Sequence, residues 1–214
     1  MTTVPIESRC RRPIPKHLLA AFCIAVLAVS CTGVPETPCY GPPPVPYPQG
    51  VKTLQERNRL IDWLSKFAIR EQESSRIPAS ITIAQAILET GWLRMNTPER
   101  RRMILDAKNL FGIKGTGPAG SVEIMTREHI NGKMVSVRAK FRAYHSYAES
   151  FEDHTRLLTK SRYYRGALKY VGDPRRFIRE VARHYATDPD YADKIWSIVT
   201  RYNLTRFDSF RENM

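Results

Sequence analysis

The sequence predicts a mainly α domain carrying one small β-hairpin, and three observations predict it. Five segments after residue 50 repeat apolar residues near i, i+3, i+4 and i+7, which puts them on one helix face. One stretch alternates apolar and polar residues instead, and it is centred on Asn131-Gly132, the strongest short hairpin signal. The 214 residues, 42% apolar and 26% charged, are close to globular averages and allow one full domain with an appendage.

The appendage is N-terminal. Arg9, Arg11, Arg12 and Lys16 precede a 12-residue apolar run, Leu18 to Val29, followed by Ser30 and Cys31. A bilayer span takes ~20 residues, so this shorter run reads as an export signal over 1–31. Cys31 is a candidate lipidation site that would anchor the mature chain to a membrane. Ordinary cleavage after Ser30 and an uncleaved anchor are the alternatives. All four cysteines lie by residue 39, which leaves no disulfide or thiolate metal site for the rest of the chain. Residues 32–50 include "CYGPPPVPYPQG", too Pro-dense for a helix or a central strand, and form an extended linker. Residues 51–214 form the folded domain.

The first helix is "LQERNRLIDWLSKFAIREQESS", with Leu54, Leu60, Ile61, Leu64, Phe67 and Ala68 on its apolar face. In the second, "SRIPASITIAQAILETGW", Pro78 stands in the first turn and Ser80 near the cap. Ala84, Ile87, Leu88 and Gly91 form one stripe of that helix; Thr82, Gln85 and Glu89 form the other. By spacing alone the second stripe is a solvated face. A charged helical patch, "TPERRRMILDAKN", leads to a segment punctuated by Gly112, Gly115, Gly117 and Gly120. Their spacing is not that of a phosphate-binding loop. The hairpin follows over "SVEIMTREHINGKMVSVRAKFRAY". Three more amphipathic helices, "SYAESFEDHTRLLTK", "DPRRFIREVARHYA" and "YADKIWSIVTRYNL", complete the chain. Asp173-Pro174 and Asp188-Pro189 read as their starts, an N-cap followed by Pro at the first helical position.

Net charge is +13, and all but four of the 34 basic and two of the 21 acidic residues lie after residue 50, leaving +11 on the domain. Such a field favours polyanionic partners. A nucleic-acid role would rest on charge alone, with no recognition motif and against the export signal, so no nucleic-acid partner is expected. His129, His145, His154 and His184 lack metal-ligand spacing, and neither a metal nor another cofactor is expected.

A helix ending in a Glu beside a β-hairpin is the arrangement of lysozyme-like α+β enzymes, whose cleft runs between the two. Four segments carry a closer likeness: "ITIAQAILETGW" (81–92), "NLFGIKG" (109–115), "KFRAYHSYAESFEDH" (140–154) and "YATDPDYADKI" (185–195). In that order they resemble the bacterial β-N-acetylglucosaminidases of glycoside hydrolase family 73, over roughly 55–204. The resemblance implies a lysozyme-like fold and an endo-acting peptidoglycan hydrolase. Its bond is the β-1,4 link between N-acetylglucosamine and N-acetylmuramic acid, and its partner is the glycan strand. By matching, Glu89 is the general acid, Glu128 the second carboxylate, and Tyr185 a tyrosine that holds the sugar or steadies charge at the reacting carbon. Trp92, Asn109, Phe111 and Tyr191 are candidates for substrate binding, each with a packing or turn-forming role as its alternative. The family commonly has "GWG" where this chain has Leu93, and the cluster Arg100-Arg101-Arg102 adds charge there.

The chemistry asks for the same parts independently. Glycoside hydrolysis needs a protonated carboxylic acid for the leaving oxygen and, in most mechanisms, a second carboxylate to activate water or support the oxocarbenium-like state. Glu89 at the mouth of an apolar helix suits the first role, since desolvation raises a carboxylate pKa. Glu128, between Arg127 and His129, suits the second. Glu123 competes for it, but the two differ by five positions on an alternating strand and face opposite ways. Inversion, retention and assistance by the substrate's N-acetyl group all remain open at this point. A catalytically silent glycan-binding scaffold is the alternative to an enzyme, and a monomer is expected.

Overall fold

The computed structural model describes residues 41, 43, 50–130 and 133–208, and side chains over 127–130 and 133–134 lie outside that description. The expected export signal, Cys31, most of the expected linker and the expected turn at Asn131-Gly132 also lie outside the described residues. Everything described belongs to one unit, Cys39–Met214.

Helix α1 is Leu54–Ser75. Its start is a capping box: the Thr53 hydroxyl accepts from the Glu56 N–H, and the Glu56 carboxylate accepts from the N–H groups of Thr53 and Lys52. Leu60, Ile61, Trp63, Leu64, Phe67 and Ala68 are buried, whereas Leu54, in the first turn, projects beyond the core and is 65% exposed. Arg76 ends the helix in a left-handed conformation, and its N–H returns to the Gln72 carbonyl. Within the linker, Gly41 offers its carbonyl to Trp63 Nε1 at 3.0 Å, so this part of the presumed spacer lies against α1.

Helix α2 is Ala79–Thr90, and Pro78 itself is its N-cap, with no hydroxyl to offer. Ser80 is therefore not the cap. Two distant side chains serve the free amides instead: Gln72 Oε1 accepts from Ala79 N at 2.8 Å, and the Asp208 carboxylate accepts from Ser80 N and Oγ at 2.8 and 2.7 Å. Thr82 and Gln85 are fully buried, against the expectation of a solvated stripe, because α2 is surrounded on several sides. It packs on α1, on α5 (Pro174–Tyr185), on α6 (Tyr191–Arg201) and on the 3-10 turn Leu204–Phe207. Of the expected solvated stripe, only Glu89, in the last turn, stays exposed.

Helix α2 closes in a Schellman arrangement, with Trp92 N–H on the Ile87 carbonyl and Gly91 N–H on Leu88. Gly91, Trp92 and Leu93 are all left-handed, at φ 57°, 62° and 54°. The short helix α3, Pro98–Arg101, is capped by Thr97 and runs into a π-helical turn, Arg102–Asp106. Strands β1 (Ser121–Ile130) and β2 (Lys133–Arg142) pair antiparallel from Ser121–Arg142 to Ile130–Lys133, leaving two residues for the expected tight connection.

Helix α4, Tyr147–Lys160, is capped by Ser146, and α5 by Asp173 with Pro174 at the first position. Helix α6 starts later than its Asp-Pro signal suggests. Asp188 folds its carboxylate onto Asp190 N and pairs with Lys194, so the helix begins only at Tyr191. The core joins α1 to α4 through aromatic contacts: Phe67 stacks on Phe151 at 4.9 Å, and Phe111 meets Phe151 edge-on at 5.0 Å. Among the described residues the fold is mainly helical with a single two-stranded antiparallel sheet, as predicted.

Candidate active site

Glu89 occupies the last turn of α2, two residues before the Gly91 cap, and opens into a groove of about 1290 Å³ between that turn, the 109–114 loop and the base of the hairpin. Its residue surface is solvent-exposed, yet the carboxylate sits in a concave wall with protein on most sides. That surrounding mass displaces bulk water and raises the Glu89 pKa above the usual carboxylate value; a hydrogen bond from Tyr191 works in the opposite direction. The Tyr191 hydroxyl donates to Glu89 Oε1 at 2.9 Å and accepts from Gln85 Nε2 at 3.2 Å. Burial, then the charge of Glu89, pushes the Tyr191 phenol far up, so it remains a proton-bearing donor.

The 109–114 loop reaches the acid through Gly112. This residue is left-handed at φ 63°, and a Cβ there would come within 3.9 Å of Glu89 Oε2. Asn109 builds the loop. Its Oδ1 accepts from Phe111 N and Ile113 N at 3.3 and 3.1 Å, while Nδ2 donates to the Ile113 and Arg142 carbonyls, both at 2.9 Å. Tyr185 closes the far side: its hydroxyl donates to the Phe111 carbonyl at 3.2 Å, and its ring stacks on Tyr191 with centroids 5.6 Å apart. Lys114, Arg100 and Arg142 add positive charge to the groove wall. Among the described residues no three His, Cys, Asp or Glu side chains gather as a metal would require.

The glucosaminidase family profile, described as mannosyl-glycoprotein endo-beta-N-acetylglucosaminidase, matches residues 65–204. The chain belongs to this family. The exo-glucosaminidase LytG of Bacillus subtilis is 34% identical over 176 residues, 80% of this chain and 60% of that relative. The peptidoglycan hydrolase FlgJ of Vibrio cholerae is 36% identical over 152 residues, 69% of this chain and 45% of that relative. This chain thus spans only part of the length of these relatives. Among solved structures, the catalytic domain of the autolysin Auto from Listeria monocytogenes superposes with a TM-score of 0.63 at 31% identity, covering 74% of this chain and 90% of that domain. The lysozyme-like fold of the glucosaminidases is therefore the fold of this chain.

Within the glucosaminidase domain the predicted site residues separate. Glu89, Asn109, Phe111 and Tyr185 line the groove; Trp92 and Tyr191 do not. Tyr191 is buried beneath Glu89 with its hydroxyl committed, so it is no sugar platform, and it is Tyr191 rather than Tyr185 that touches the acid. Trp92 packs edge-on against Tyr202 at 4.8 Å under the Arg57 guanidinium. Asn109 has used every donor and acceptor of its amide within the protein. The Phe111 ring is core, stacked on His154 at 4.0 Å, and only its backbone meets the tyrosine. His154 is neutral and fully buried, its pKa pushed down to about 3 by burial.

On the hairpin, Ile124, Met125 and Thr126 line the groove, while Glu123 does not and pairs with Arg138 at 3.6 Å. Glu128 shares the alternation of Ile124 and Thr126 and is registered opposite Val135; its side chain lies outside the described residues. Gln85 is the residue that sequence reasoning passed over. Its spacing of four from Glu89 was visible, but its burial was not.

Proposed function

We propose that this chain is an exported peptidoglycan hydrolase that cuts the β-1,4 bond between N-acetylglucosamine and N-acetylmuramic acid, with Glu89 as general acid. The observation that carries the reading is the Glu89 carboxylate at the wall of a groove, its pKa raised, with one neutral donor and, among the described residues, no cation holding it ionised. A carboxyl group in that state delivers a proton to the glycosidic oxygen as the bond to the sugar breaks. The carboxylate it leaves behind is then met by the Tyr191 hydroxyl.

Glu128 is the proposed second carboxylate, activating water or supporting the oxocarbenium-like state from the hairpin. Its support is the diversion of Glu123 into an ion pair and the place of Glu128 just beyond the groove-lining stretch 124–126 of the same strand. A hairpin can bring such a group in as substrate closes the cleft. The positive groove wall suits an anionic wall polymer. Residues 1–31 act as the export signal in this reading, with Cys31 as the lipid attachment point, and 32–50 tether the domain.

Digestion of purified peptidoglycan by the protein and by Glu89→Gln, with mass spectrometry of borohydride-reduced products, tests it. Fragments ending in reduced N-acetylglucosamine, lost ~10²-fold or more in the variant, are expected. Ends in N-acetylmuramic acid or its anhydro form would replace the bond assignment, and no fragments from a folded, glycan-binding protein would replace the enzyme with a scaffold.

A further inference from the structure

A second cavity, of about 540 Å³, opens beside the groove and shares Arg142 and Leu157 with it. That volume lies within the ~300–1,000 Å³ of small-ligand sites. Thr116, Gly117 and Pro118 form one wall, and Arg156 and Lys160, a turn apart on α4, form the other. The first wall is tightly seated: Gly117 N and Gly120 N exchange hydrogen bonds with each other's carbonyls, Ala119 N donates to the Ala143 carbonyl, and a Cβ on Gly117 would stand 2.5 Å from that same oxygen.

The cavity is cationic by construction. Asp153 is buried and ties the base together, accepting from Arg142 at 2.6 Å, Arg156 at 3.1 Å and the Tyr144 hydroxyl at 2.8 Å. One acid orients two guanidinium groups, and Lys160 adds a third positive charge with no acidic partner among the described residues. An anion entering here gains a charge-assisted contact without displacing an internal ion pair. Because the two spaces share a wall, the anion belongs to whatever occupies the groove.

In peptidoglycan the groups that leave the glycan sideways are short peptides on the muramic acid residues, and they carry free carboxylates. We propose that this side cavity receives a carboxylate of the glycan-borne peptide, with Lys160 and Arg156 as its cationic wall. It is a specificity site for the hydrolase reading, on which it rests.

Binding rather than cleavage tests it, which keeps its failure separate from that of the reading it rests on. In the Glu89→Gln background, affinity is measured for peptidoglycan strands that keep their peptides and for the same strands stripped by an amidase. Lys160→Glu is expected to weaken binding of peptide-bearing strands about tenfold, as for one lost charge-assisted hydrogen bond. Stripped strands should bind unchanged, and Lys160→Arg should restore the preference. The loss should shrink at high salt. Equal losses on both strands, or no loss on peptide-bearing strands, would overturn the proposal, whether or not the Glu89 enzyme cuts either one.

Discussion

Tyr191 donates its hydroxyl hydrogen to Glu89 Oε1 at 2.9 Å from beneath the groove floor, across 102 residues of sequence. The bond favours the ionised carboxylate, against the raising effect of the surrounding protein. Replacing Tyr191 with Phe removes the donor and raises the Glu89 pKa further. In the general-acid role proposed for Glu89 the group works while protonated, so the decline of kcat/KM with rising pH should move to higher pH in the variant. Its maximum should fall by roughly 10–100-fold, since a hydrogen bond to a charged group contributes about 1.5–3 kcal/mol. A profile displaced to lower pH would count against the role given to Tyr191.

Gln85 Nε2 donates to the Tyr191 hydroxyl that meets Glu89, while Gln85 Oε1 is buried without a partner among the described residues. Gln85→Leu removes an unsatisfied acceptor together with the donor. Unfolding should show a stability change within about 1 kcal/mol, because exchanging a poorly satisfied buried polar group for an apolar one of similar shape is nearly neutral. The pH profile should nevertheless shift as in Tyr191→Phe, and the double variant should show no additive shift. Additive shifts would mean that Gln85 acts elsewhere.

Glu89 itself should make the protein less stable. Its folded-state pKa is raised, so the folded chain holds the proton more tightly than the unfolded chain. Its contribution is complete below the unfolded pKa and is lost as pH rises through the folded one. Glu89→Gln should therefore unfold at a higher temperature than the parent at pH 7, with the advantage gone near pH 4. An advantage that grows toward acid pH would contradict the sign.

Asp208 caps α2 from the far end of the chain. Asp208→Ala leaves Ser80 N without its acceptor and should cost ~1–2 kcal/mol, a few degrees in melting temperature for a domain of this size. Calorimetry on the two proteins reads it directly.

Leu93 stands at φ 54°, where glycine would be unstrained, yet its side chain is 1% exposed. Relief of left-handed strain is worth about 1–2 kcal/mol, against about 2–5 kcal/mol for emptying a buried leucine site. Leu93→Gly should therefore lose stability in urea titrations, even though it restores the glycine common in the family. A gain would show that the backbone term dominates.

Local chemistry was sufficient for much of this protein. Apolar periodicity located the long helices, Asn131-Gly132 marked the hairpin, Asp173-Pro174 marked the start of α5, and ordered motifs drew attention to Glu89. Each depends on neighbours within a few residues, which a sequence displays. Tertiary structure alone decided which polar residues were wet. Thr82 and Gln85 sit at spacings that look solvated, but α1, α5 and α6 close around α2 and bury them. It also decided which tyrosine meets Glu89: motif matching pointed to Tyr185, and only the docking of α6 onto α2 puts Tyr191 under the carboxylate. Asp208 at the amides of α2 is of the same kind. Such contacts form when helices pack, and packing joins residues by distance in space, which spacing along the chain does not encode.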